Sequence, residues 1–317
     1  MSEDVQSTAT AEAPLRDQLA RGDAAIAGAR PVLRHLLLNR DRAMFSDEVL
    51  ARVSGMLYHV ARQLLAAGAG DNGGSGPGAN SELSMAVDAQ ARALANVLAE
   101  DPALLAHAHG QALEARLVES LRHRTGFDGV VSPLVQELAA SSDPAQAGLA
   151  MRVLAAQARF LQQQRRMELP LGELPPALLE KAWILVRSDT KEGEREEVLP
   201  KGLVQQESRL GLMDRLVRSM GQDGMKALAT EYSGPALFLT ALALGTGIDR
   251  TLAIYSCGED QAVRLAISLR AAGLDLQQIR GQFLYLHPEV EVPEGLESTS
   301  PARAISILAD PAAELVG

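Results

Sequence analysis

Apolar side chains recur at helical spacing through most of the chain. Val49, Val53, Met56, Leu57, Val60 and Leu64 follow the i, i+3, i+4, i+7 rule, which predicts a helix from Asp47 to Ala67 capped by Ser46. The same reading predicts helices over 82–99, 102–124, 133–141, 144–166 and 176–187. Alternating β-branched runs are scarce, and Ala and Leu, strong helix formers, dominate.

Helix starts share one device, an oxygen-bearing residue followed by proline: Asp101-Pro102, Ser132-Pro133, Asp143-Pro144 and Ser300-Pro301, with Gly234-Pro235 as a weaker form. The side-chain oxygen accepts from an orphan amide, and proline at the first helical position loses no bond the helix needs. Helix ends are written with glycine. Gly221, Gly234, Gly247, Gly258 and Gly273 are expected to stop successive short helices in the left-handed conformation. The expected class is all-α without a substantial sheet: a multi-helix array of HEAT-like, α-solenoid character, or an irregular helical bundle.

The pattern divides the chain into an N-terminal helical unit (1–67), a glycine-rich linker or loop (68–80) and a central helical region (81–187). A charged loop (188–200), a short-helix array (201–287) and an acidic tail with one short helix, Pro301 to Ala309, follow. The linker has the glycine content of a phosphate-binding loop, but neither a preceding strand nor a following Gly-Lys-Ser/Thr.

Two segments carry a resemblance: Ala155 to Pro175 (AAQARFLQQQRRMELPLGELP) and the glycine-punctuated run Leu212 to His287. Together they resemble the bacterial domain of unknown function 2336 family over about the last two-thirds of the chain. The resemblance implies a largely helical, HEAT-like cytoplasmic protein and implies no reaction or active-site pattern.

Composition narrows the function. The 317 residues carry a net charge of −10, which argues against a general nucleic-acid binder. Residues 188–317 hold 12 basic and 19 acidic side chains. Two basic clusters, Arg116/Arg122/His123/Arg124 and Arg159/Arg165/Arg166, are expected to be solvated or to pair with Glu114, Glu119 and Glu168. Met1 to Glu12 lacks the basic start and apolar core of a secretory signal, and the longest apolar run, Ala236 to Leu244, is too short to span a bilayer. A cytoplasmic protein is the expectation.

Candidate chemistry is sparse. His107 and His109, two apart, face opposite sides of a helix and lack the i, i+4 spacing of a helical metal pair. They are expected on a solvated or half-buried face, and no metal or cofactor is expected. Cys257, the single cysteine, stands beside Glu259 and Asp260, which oppose a thiolate. Gly245-Thr-Gly247 lacks the third glycine of a dinucleotide fingerprint and is expected to join two helices. No enzyme is expected.

The reading that remains is a non-catalytic protein-interaction or regulatory protein with a protein partner. Trp183 and the loop glutamates Glu194, Glu196 and Glu197 are the candidate partner contacts, with Trp183 at least partly buried in a helix face. The alternative is a small-molecule or lipid sensor whose pocket is lined by Met213, Met220, Met225, Phe238, Tyr255 and Phe283.

Overall fold

The computed structural model describes residues 14–28, 46–69, 81–189 and 207–309. Among them the fold is all-α, with no strand. The helices are α1 (14–28), α2 (Asp47–Ala69), α3 (Ser81–Glu100), α4 (Pro102–Thr125), α5 (Pro133–Ala139), α6 (Pro144–Arg165) and α7 (Pro176–Asp189). Then come α8 (Arg209–Ser219), α9 (Thr230–Thr246), α10 (Arg250–Ser256), α11 (Ala262–Ala271), α12 (Leu276–Leu286) and α13 (Pro301–Ala309).

All four oxygen-proline starts work as caps. Asp101 accepts from the amides of Ala103 and Leu104 at 3.0 Å each, and Ser132 from Val135 at 3.3 Å. Asp143 accepts from Ala145 at 2.9 Å, and Ser300 from Arg303 at 3.2 Å. Glycine punctuation holds at four of five positions: Gly221, Gly234, Gly247 and Gly273 have positive φ, whereas Gly258 is extended at φ −75°. Gly258 precedes a short 3-10 turn, so it starts an element rather than closing one in the left-handed conformation. The short elements between these glycines differ in kind: Gly221–Leu228 is 3-10 and α10 has only 7 residues.

The chain falls into two compact units, each built from segments distant in sequence. One holds 30–115 and 155–211; the other holds 1–29, 116–154 and 212–317. In the first, α2 packs on α3 and α7, and α3 packs on α7. The apolar stripe of α2 is buried as its spacing predicts: Val49, Val53, Met56, Leu57, Val60 and Leu64 all join the core with Leu94, Leu98, Leu179 and Trp183. Polar contacts set the register. Tyr58 donates to Asp88 at 2.7 Å, and Lys181 pairs with Asp101. The turn at 169–171 is fastened to α2, because the Leu169 amide donates to His59 Nδ1 (3.1 Å) and the Leu171 amide to Gln63 Oε1 (3.1 Å).

In the second unit α9 is the centre, packed by α5, the Gly221–Leu228 turn, α10, α11 and α12. Residues 233–242 are all buried, so the longest apolar run of the chain is core. Gly234 breaks this helix at φ 78°, ψ 159°, and Pro235 restarts it. Among the described residues no single helix is long and apolar enough to cross a membrane.

The region expected as a tail is packed. Leu296 and Thr299 are fully buried, Arg270 Nε donates to the Thr299 carbonyl at 2.7 Å, and α13 lies on α11 through Ala304 and Ile307. Apolar residues at 296, 304 and 307 anchor it despite the intervening acidic side chains. Residues 70–80, most of the glycine-rich linker, lie outside the described residues, as do 190–200 of the charged loop and 201–206 at the start of the expected short-helix array.

Candidate functional site

The most elaborate polar cluster is in the first unit, around Arg209. This arginine opens α8, where its backbone amide points at both oxygens of Glu173 (3.3 Å each). A carboxylate there offsets the unfavourable placement of a cation at a helix N-terminus. The guanidinium lies 3.6 Å above the Phe160 ring. Nη1 donates to Glu114 Oε1 (2.6 Å) and Gln157 Oε1 (3.0 Å); Nη2 donates to Glu114 Oε2 (3.0 Å) and Gln111 Oε1 (2.8 Å). Gln111 and Glu114 are one turn apart on α4, and Gln157 and Phe160 one turn apart on α6, so each helix offers a pair on one face.

The Arg209 and Glu114 side chains have no exposure. Burial raises the Glu173 carboxyl above its ordinary range, against the opposing pull of Arg209. A closed, charge-balanced centre of this kind joins helices; it offers a reactant no face. Sequence spacing held no signal for it, since Arg209 and Glu114 are 95 residues apart. Glu114, expected beside the basic clusters, is the carboxylate that holds Arg209.

The other sequence candidates sit apart from one another. Trp183 is 5% exposed and belongs to the apolar core of the first unit. Glu194, Glu196 and Glu197 lie outside the described residues. His107 and His109 are buried, not on a solvated or half-buried face, because α4 is buried continuously from Leu104 to Ala112. Burial alone pulls the His109 imidazole down to about 4. Among the described residues no three His, Cys, Asp or Glu side chains gather as metal ligands would. Cys257 is buried, and burial pushes its thiol up to about 12, so it is protonated at neutral pH.

Of the basic clusters, Arg124 donates to the carbonyls of Tyr285 and, at 2.9 Å, Leu286, closing the end of α12; His123 comes to 3.9 Å from Glu119. Gly247 ends α9, and a Cβ at Gly245 would stand 3.2 Å from that of Ala272, so this pair serves a helix joint and a close approach. Met213, Met220, Phe238, Tyr255 and Phe283 are buried core, while Met225 is 47% exposed; none lines either cavity described next.

The open feature is a groove in the second unit. One cavity of about 510 Å³ lies between α1 (Leu15, Gln18), α11 (Ala262, Val263) and the strip 291–295. A second, of about 320 Å³, adjoins it and shares Gln18, Ala262 and Val263. Arg264, 3% exposed, forms an ion pair with Asp23 beside it, and Gln261, 5% exposed, donates through Nε2 to the Gly22 carbonyl (3.3 Å). Glu291 and Glu294 are exposed on the opposite rim. The groove is apolar along its floor and acidic at one edge, and it was not foreseen in the sequence.

No family model, curated protein or solved structure matches this chain.

Proposed function

We propose that this is a non-catalytic protein-interaction or regulatory protein, cytoplasmic and of HEAT-like helical-array character, as the resemblance to the domain of unknown function 2336 family implies. The observation that carries the reading is the groove between α1, α11 and the 291–295 strip, a concave face with two helical walls. Helical arrays commonly bind other proteins along such faces. A reduced, buried thiol and a net charge of −10 fit a reducing, aqueous compartment.

The test is native affinity purification of the full chain under mild conditions, followed by reconstitution with the purified protein that accompanies it. The expected result is a stoichiometric complex re-formed from two pure components. Recovery of a bound small molecule with no protein partner would favour a sensor instead.

A further inference from the structure

One wall of the groove is a strap fastened at its two ends, and one fastening is a buried histidine. Residues 288–295 hold no helix or strand, and Pro288, Glu289, Glu291 and Glu294 on them are exposed. At the far end Leu296 and Thr299 are fully buried, and the Thr299 carbonyl accepts from Arg270 Nε at 2.7 Å. At the near end stands His287, 7% exposed. Its amide donates to the Phe283 carbonyl (2.7 Å) and closes α12; its carbonyl accepts from the Val290 amide (2.9 Å) and starts the strap.

The His287 ring is bonded on one side only. It hydrogen-bonds to the Cys257 backbone, while Nε2 is buried without a partner among the described residues. A neutral ring in this setting donates from Nδ1 and keeps its lone pair at Nε2. A second proton would go to Nε2, where no acceptor is available, and would leave a buried charge unpaired. Arg124 of α4 already bonds the carbonyls of Tyr285 and Leu286, so this would be a second cation at the same helix end. Of the groups on the turn after α10, the Cys257 thiol is neutral and the exposed Glu259 favours the charged ring. Burial outweighs Glu259 and the Cys257 bond, and holds the imidazole below its ordinary 6.5.

From this one-sided bonding and the place of His287 at the root of the strap, we infer that His287 is an acid-released pin. When Nε2 takes a proton from solvent, the ring leaves its site for water and frees residues 288–295, opening one wall of the groove. The device would regulate the interaction face proposed above and rests on that reading for its use; the release itself belongs to the free chain. The pinned form favours the neutral ring, so the pin is set above pH 6.5 and gives way as pH falls below it. With one proton taken up on opening, the open fraction rises by up to about tenfold per pH unit.

Hydrogen–deuterium exchange of the free full chain, between about pH 5 and about pH 8 and corrected for the intrinsic pH dependence of amide exchange, reads the pin directly. Exchange at 289–295 should accelerate by up to about tenfold per unit below pH 6.5, far more than in α9 of the same unit. His287→Gln has no ring to protonate and should remove the acceleration. A histidine NMR titration of the unaltered chain gives the same test without a substitution: the His287 ring should take up its proton over the pH range in which the strap opens. A variant that keeps the parent's acceleration, or a His287 ring that titrates while strap exchange stays constant, would overturn the inference. No partner is present in either measurement, so a failed search for a protein partner would end the interaction reading without altering this result.

Discussion

Arg209 and Glu114 form a two-pronged ion pair, at 2.6 and 3.0 Å, in which neither side chain has any exposed surface. Removing one partner of such a pair strands a buried charge. We expect Arg209→Met to cost about 3–5 kcal/mol, and Glu114→Gln somewhat less because a neutral amide can still accept. Replacing both by apolar residues should cost far less than the sum of the single changes, since no charge is then left behind. A double-mutant cycle by urea denaturation measures this. Additive losses would show that the two residues are not coupled.

Met167 is the one described non-glycine residue with positive φ, at 57°, and it stands against Gly55. A Cβ on Gly55 would lie 2.5 Å from the Met167 Cβ, so α2 needs glycine there. Gly55→Ala should cost about 1–3 kcal/mol through overpacking. Met167→Gly removes both the opposing Cβ and the left-handed strain, which is about 1–2 kcal/mol. The double variant should therefore be more stable than Gly55→Ala alone. A double variant less stable than either single change would contradict this geometry.

Gly234 combines a backbone restriction with a steric one. Its φ of 78° and ψ of 159° fall in a region open essentially only to glycine, and a Cβ would stand 2.7 Å from the Phe127 ring. Gly234→Ala should lower stability by more than about 2 kcal/mol. Adding Phe127→Leu should restore only part of that loss, because the backbone strain persists. Full restoration, measured by thermal melting, would place the whole cost in the ring contact.

The sequence made the helices legible because their ends are encoded locally. A capping oxygen, a following proline and an apolar stripe lie within a few residues of one another, and α2, α6 and α13 form within two residues of their expected bounds. Trp183 was readable for the same reason, as one position on the Leu179–Val186 face. What joins distant segments was not readable. Arg209 meets partners 52 and 95 residues away, and nothing near Arg209 distinguishes it from a solvated arginine. Burial of α4 on all sides from Leu104 to Ala112 was missed because His107, His109 and Gln111 resemble a polar face until other helices cover them. The groove was missed because α1 lies more than 230 residues from Gln261, which it meets.

His109 predicts a pH effect with a definite sign. Burial depresses its folded-state pKa to about 4, below the ordinary value of 6.5, so the unfolded chain binds the extra proton first. Its contribution to stability is complete above pH 6.5 and is lost as pH falls from there toward 4. At about 1.4 kcal/mol per unit, the loss from this residue is on the order of 3 kcal/mol. His109→Gln should flatten the stability profile between these limits, as read from urea midpoints at successive pH values. A parent and variant that lose stability in parallel would show that His109 is not the titrating group.

The claim that the groove is the working surface is tested most directly by hydrogen–deuterium exchange on the full chain, free and bound to its reconstituted protein partner. The account predicts that binding slows exchange in 14–25, 260–264 and 291–295, the segments that form the groove. It predicts no comparable change in α2 or α7 of the other unit. Protection confined to α2 and α7, or spread evenly with none at 291–295, would contradict it.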